Sequence, residues 1–470
     1  MQRLPQCLVN ITKCVFFGEK SIHLPYSHGQ GGSLWGKAQD DMIIDSRHRC
    51  VGKAALKSKT RRRVLKGLAG LSACTAATAA TGPTLFNIAY AASSAIRIGF
   101  PVPLSGPYSW EANEQVRCAQ IAVDQFNAAG GLDGRIAQLL VRDDRLRPAE
   151  AAMRTLELIE DEQAHFICGA LSASVQLSVN AVARARETIY MSISQSDAIN
   201  ESKDFSRYTF HEALNPHMTA GAVGRYVFPR VGKRVAFLVA DYAYGYEMMR
   251  GFKRAGEAFG IEVVAEVTHP IAVQDFSPFL PTIRNAKPDV LCLCNFGNDQ
   301  MHAIKQAADL GLKNDMQLAA PVLLFNQRVH GDVAAYAGVI GGANYYWSLE
   351  NEFETAKMFN DAYRDRFEGR VPSDYGAYGY AGVRALLDGV LKSKSVETDA
   401  VIAALETSKT DRCKGPQYFR ACDHQSVQSV LVLQSKPADQ MSHAFDLFDT
   451  LAVEQASQDN LRTCRELGHL

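Results

Sequence analysis

The sequence predicts an α/β chain folded into two lobes. Strand-length apolar runs alternate with segments of helical periodicity through most of the chain, the pattern of parallel sheets covered by helices on both faces. The chain has 470 residues, 47% of them hydrophobic, enough for more than one ordinary core. Several predicted strands end in short turns of Ser, Gly, Asp or Tyr just before a helix, the edge where open parallel sheets bind ligands. Fifty Lys and Arg balance fifty Asp and Glu, so there is no basic face for a nucleic-acid partner. No run of about 18 apolar residues predicts a membrane span in the body of the chain.

The part before residue 92 does not read as folded domain. KSKTRRRVLK is followed by a small, mildly apolar stretch and by Ala89-Tyr90-Ala91, an export signal with its cleavage pattern. Arg61, Arg62 and Arg63 with Val64 resemble the twin-arginine motif, and LSAC ending at Cys74 is a weaker candidate for a lipid anchor. Residues 42–91 are therefore expected to be the export signal. Residues 1–41 are expected to be an extension of the reading frame, with Met42 or a later codon as the start.

In the first lobe, AIRIGF (95–100) is a strand that leads into the loop PVPLSGPYSWEAN, and a helix is expected over 114–127. Strands at 135–143, 165–168 and 189–191 follow, with helices at 148–162 and 175–186 between them. The loops at Leu171, Ser172, Ala173 and Ser174 and at Gln195, Ser196 and Asp197 stand at strand ends before helices. A helix N-terminus carries free N–H groups and about half a positive charge, which suits an anion such as a carboxylate. Plain N-capping by Ser explains the same residues.

Residues 232–260 form one strand–turn–helix unit around Asp241 to Gly245, with three rings at Tyr242, Tyr244 and Tyr246 and no catalytic apparatus. Strands are expected at 262–267 and 290–294, the second ending at Asn295-Phe296-Gly297. Cys292 and Cys294 fall on one face of that strand and have no His or second Cys pair at ligand spacing, so they read as core thiols and no metal is expected. Tyr375, Tyr378 and Tyr380 either line a cleft or pack a helix face. No strand–turn–helix joint shows G-x-G-x-x-G, so neither an enzyme nor a nucleotide cofactor is expected. Seven cysteines follow the signal. Cys413 and Cys422 are the preferred disulfide, worth roughly 2–3 kcal/mol for so short a loop, with Cys464 able to compete for either.

PLSGPYSW, FNAAGGLDG, GKRVAFLVADYAYG, QDFSPFLPTIRNAKPDVL, IKQAADLGLK and CDHQ, in this order from about Ile96 to Leu433, resemble the periplasmic solute-binding proteins of branched-chain amino-acid ABC transporters. The resemblance implies two Rossmann-like lobes, a Venus flytrap, joined by three crossings. It places lobe one at 95–211 plus 336–410, lobe two at 212–335 plus 411–435, and a C-terminal tail at 436–470. It implies a small-molecule ligand, an ABC permease as partner, a periplasmic location and a monomer. The ligand carboxylate is expected at Leu171, Ser172, Ala173, Ser174, Gln195 and Ser196. Trp110 and Glu111 are expected as first-loop contacts, Tyr244 as the closing aromatic of lobe two, and Phe296 as a wall. CDHQ is implied to be structural.

One departure bears on the ligand. Amino-acid binders of this type place an acid in the lobe-two loop after the GLK stretch, and MQLAAPVLLFNQ (316–327) has none. A buried ammonium without a partner costs several kcal/mol. Either Glu111, Asp197 or Asp299 takes that role, or the ligand lacks an amine; the aromatic supply, with Phe325, tilts the expectation toward an uncharged or carboxylate ligand. A ligand sensor on the same fold is the competing function.

Overall fold

The structure is a computed structural model that describes residues 95–469. The extension, the export signal, Arg61 to Arg63 and Cys74 lie outside the described residues. The first sheet has five parallel strands in the order β2-β1-β3-β4-β5: β1 Ile96–Val102, β2 Ala137–Asp143, β3 Phe166–Gly169, β4 Ile189–Ser192 and β5 Thr209–His211. Helices α1 (Ser109–Ala128), α2 (Pro148–Glu160) and α3 (Ala173–Ala185) link them. Side chains alternate across the sheet. Phe166 and Cys168 of β3 enter one core with Ala119 and Val123 of α1, while Ile167 enters another with Leu158 of α2 and Val179 of α3.

The second sheet has seven strands in the order β15-β14-β10-β9-β8-β6-β7. Its parallel part is β6 Arg234–Ala240, β7 Glu262–His269, β8 Val290–Cys294, β9 Gln317–Ala320 and β10 Ile340–Ala343. β14 (Val430–Ser435) and β15 (Phe448–Glu454) add on antiparallel. Helices α4 (Pro216–Val231), α5 (Ala243–Glu257), α6 (Leu280–Ala286), α7 (Asn298–Asp309), α8 (Phe325–His330) and α9 (Val333–Tyr336) belong to this half. The all-apolar runs β6 and β8 are buried along their length, as central strands covered on both faces must be.

The chain then contributes α10 (Glu354–Arg366), α11 (Asp374–Ser393) and α12 (Thr398–Glu406) to the first half. α11 lies so close to α1 that a Cβ on Gly379 would stand 2.1 Å from the Gln115 carbonyl oxygen. A small antiparallel sheet, β11 (Lys409–Asp411), β12 (Pro416–Phe419) and β13 (Ser426–Val427), precedes β14.

Four expectations are corrected. β10 pairs with β9 and β14, so the second lobe runs past 335 and the return to the first follows Ala343. Residues 436–470 are not a loose tail, because β15 closes the edge of the second sheet through β14. α1 begins at Ser109, so Trp110 and Glu111 stand on its first turn rather than on a loop. The Pro and Gly that suggested a long loop end at Pro107, and Ser109 N–H already turns back on the Gly106 carbonyl at 3.2 Å. The disulfide is Cys422–Cys464, and Cys413 is a buried free thiol. Residues 458–469 lie along the crossing, where Arg420 donates to the Arg462 carbonyl at 2.8 Å and Ser202 N–H to that of Leu467 at 2.9 Å, and this brings Cys464 to Cys422.

CDHQ is structural. Arg420 makes two hydrogen bonds to Asp423, at 2.9 and 2.6 Å. Gln425 donates to the Ala213 carbonyl at 2.8 Å, and His424 Nδ1 lies 2.9 Å from that of Thr209. These bonds tie the last crossing to the first.

Candidate ligand site between the lobes

The two halves meet through rings. The turn after β6 leads into α5, whose second residue, Tyr244, packs edge-on against Phe296 at 5.6 Å. Phe296 follows β8 and reaches the first lobe, touching Tyr108 at 4.9 Å and Tyr375 at 5.1 Å. Tyr108 donates its hydroxyl to that of Tyr242 at 3.1 Å. Gly297 allows the approach: its φ is +59°, and a Cβ there would come 2.8 Å from the Tyr108 ring and 2.9 Å from the Pro107 carbonyl oxygen.

A polar set joins the lobes beside the rings. The Gln195 carbonyl accepts from the Thr219 hydroxyl at 3.2 Å, and its amide donates to Tyr375 at 3.4 Å. Ser196 donates to Glu247 at 3.2 Å, and Asp197 N–H donates to the same carboxylate at 3.1 Å. Burial raises the pKa of both Asp197 and Glu247, and the facing Asp197 carboxylate adds to the rise at Glu247.

Two carboxylates stand apart from that latch. Glu111, on the first turn of α1, is 1% exposed, and neither of its oxygens has a hydrogen-bond partner. Burial, with Asp374 adding to it, raises its pKa to about 8, while the Gln327 and Asn326 amides alongside pull down without closing as hydrogen bonds. Asp374 opens α11. One of its oxygens accepts from Phe325 N–H at 3.3 Å, the other is buried without a partner, and burial raises its pKa to about 7. Neither carboxylate has an ion-pair partner among the described residues.

The expected site residues divide. Glu111, Gln195, Tyr244 and Phe296 lie along this junction. Leu171, Ser172 and Ala173 are buried at the start of α3, with Ser174 half-buried; the Ser172 side chain makes no capping bond, and Ser194 donates to the Leu171 carbonyl at 2.5 Å. Ser196 is committed to Glu247. Trp110 stacks on His330 at 4.4 Å and lines a pocket of about 210 Å³ with Phe325, Asn326 and Val329. Of the other acids considered for an amine, Asp197 accepts from His217 N–H at 3.3 Å and Asp299 from Ala272 N–H at 3.0 Å, so each holds backbone. Tyr378 accepts from Leu214 N–H at 3.2 Å and Tyr380 donates to Gln125 at 2.7 Å, both packing roles. Tyr108, Gln327 and Asp374 were not singled out from sequence. Asp374 carried one signal, its place after Ser373, which caps α11 by accepting from Gly376 N–H.

A parallel-sheet lobe and a mixed-sheet lobe thus meet ring to ring beside buried polar groups. Residues 95–440 match the family described as Periplasmic binding protein, and the chain belongs to it. It is 23% identical over 333 residues to the Leu/Ile/Val-binding protein homolog 7 of Brucella abortus, covering 67% of this chain and 82% of that one. Its fold is similar to that of a periplasmic binding protein from Burkholderia mallei, with 26% identity, a TM-score of 0.74, and 80% and 98% of the two chains covered. A solute-binding protein from R. palustris in complex with benzoate is a further structural neighbour, with 21% identity, a TM-score of 0.69, and 77% and 97% covered.

Proposed function

We propose that the chain is the exported solute-binding subunit of an ABC importer. It captures a small amino-acid-like or aromatic acid or amide by lobe closure and delivers it to a membrane permease as a monomer. The observation that carries this reading is the junction itself: Tyr244 and Phe296 of one lobe and Tyr108, Tyr375 and Gln195 of the other meet beside buried polar groups. A ligand touched by both lobes favours the closed form by its differential affinity. The Leu/Ile/Val-binding relative and the benzoate-bound neighbour both support a carboxylate as part of the ligand. Residues 171–174 at the start of α3 are the proposed carboxylate contacts, and residues 42–91, with Arg61 and Arg62, the proposed twin-arginine signal.

A thermal-shift screen against amino acids, aromatic acids and amides tests the reading, because a bound ligand raises the melting temperature by mass action. Tyr244→Ala is expected to lower affinity for the ligand so found by at least tenfold. Unchanged affinity would remove Tyr244 from the site.

A further inference from the structure

A separate cavity of about 140 Å³ lies beside the crossing, lined by Asp197, Glu201, His217, Arg250, Arg254 and Arg462. It stands apart from the rings. Tyr244 is at the N-terminal end of α5, and Arg250 and Arg254 follow about 9 and 15 Å further along the helix axis. Glu247, with its two bonds to the first lobe, occupies the turn between Tyr244 and Arg250. Gly251 shapes the cavity: a Cβ there would come 2.6 Å from the Pro216 carbonyl oxygen, so α5 settles on the start of α4 and brings His217 to the same space.

Three guanidinium groups share this cavity with two carboxylates. The Arg250 guanidinium makes no ion pair or hydrogen bond among the described residues. Arg254 reaches Glu466 only at 3.7 Å, with its side chain 40% exposed. Arg462 pairs with Glu201 at 3.0 Å and donates to the Glu466 carbonyl at 2.9 Å, yet its Nε is buried with no partner. Arg250 and Arg254 stand four residues apart on one face of α5, a spacing at which like charges repel. Burial, with Arg254 and Arg225 adding to it, lowers the His217 pKa to about 4, so that ring is neutral at pH 7. Guanidinium forks match the oxygens of a carboxylate or a phosphate, and the cavity has room for several water molecules, hence for a small oxyanion.

We infer that this cavity is a second binding site, for a small oxyanion of the phosphate, sulfate or short carboxylate class, gripped by Arg250 and Arg254 of the second lobe and by Arg462 of the C-terminal segment. That segment is tied to the first lobe and the crossing. Ser202 N–H donates to the Leu467 carbonyl at 2.9 Å, His469 Nε2 lies 2.7 Å from the Asn200 carbonyl, and Cys464 is bonded to Cys422. An anion held from both sides joins α5 to the first lobe and offsets the repulsion among the three arginines. It therefore favours the arrangement in which the lobes meet. On the reading of the ring junction as the solute site, the anion raises the affinity for solute, and solute raises the affinity for the anion by the same factor.

The test titrates the full chain with inorganic phosphate, sulfate and succinate by calorimetry, in chloride at constant ionic strength so that general screening is held fixed. At least one of the three is expected to bind with one-to-one stoichiometry, and the tightest names the class of anion. Arg250→Gln and Arg254→Gln are each expected to weaken it at least fivefold. Arg207→Gln, an exposed arginine outside the cavity, is expected to leave it within twofold. Circular dichroism melts confirm that the variants fold. Saturating anion is expected to raise the affinity for the solute found by thermal shift at least threefold in the wild type. In the Arg250→Gln, Arg254→Gln double variant that rise is expected to vanish, with solute affinity in chloride within twofold of the wild type. If none of the three anions binds, or if both single variants keep the binding within twofold, the site does not exist. If an anion binds there and solute affinity stays the same, the lobes are not coupled through it and the inference fails. If the thermal-shift screen finds no solute, the solute-binding reading fails, and the anion titrations still decide the cavity.

Discussion

Two buried glutamates divide the molecule. Glu212 lies at the first crossing with no exposure, and Glu111 lies at the lobe junction with 1%. Around Glu212 the chain supplies Lys414 at 3.0 Å, Arg412 at 3.8 Å, and two hydrogen bonds from Gln417 at 2.6 and 2.8 Å. Around Glu111 it supplies neutral amides that do not close on the carboxylate. Desolvation is equally severe in both places, so the partner decides. At the crossing, charge compensation comes from elements joined permanently. At the junction, a carboxyl without an ion-pair partner among the described residues sits where the two jaws meet, and burial favours its protonated form.

The contrast breaks most visibly at the crossing. Glu212→Ala leaves Lys414 and Arg412 buried without their acid and is expected to cost about 3–5 kcal/mol in urea unfolding; a loss below about 1 kcal/mol would erase the contrast. Cys422→Ser with Cys464→Ser opens a loop of 42 residues at the same crossing. The expected loss is about 2–4 kcal/mol, read from the same unfolding curves.

The junction responds to pH. The Glu111 pKa rises from 4.5 to about 8 on folding, so between those values the native state binds more protons than the unfolded one. Stability from this group is complete below the lower value and is lost as pH rises toward the upper. From pH 6.5 to 8 the loss is expected to be about 2 kcal/mol in the ligand-free protein. Comparing the wild type with Glu111→Gln at both pH values isolates it from Asp374, the Asp197 and Glu247 latch, and His217, whose pKa burial lowers to about 4. Equal pH slopes would show that the Glu111 pKa does not rise on folding. The smallest effect belongs to the surface. Arg207 and Asp399 pair at 2.7 Å while 55% and 79% exposed, and Asp399→Asn should change stability by less than about 0.5 kcal/mol.

Much of the fold was legible residue by residue. The apolar runs at β6 and β8, the glycine stops and the recurring strand–helix order encode parallel sheets, because backbone period and local turn chemistry are properties of adjacent residues. So is the position of Tyr244 and Phe296 at strand ends. Glu111 was legible as a candidate acid, but Asp374 was not, since nothing local in the chain pairs it with Glu111.

The sequence by itself determined the α/β alternation, the ring-bearing turns and the buried character of the central strands. Only the tertiary structure decided that β10 and β15 join the second sheet, that Cys422 takes Cys464 rather than Cys413, and that two carboxylates share the junction. Each of these depends on contacts between segments far apart in the chain, set by which surfaces pack most closely, as where Gly376 and Gly379 let α11 settle on α1. Local periodicity carries no record of that choice.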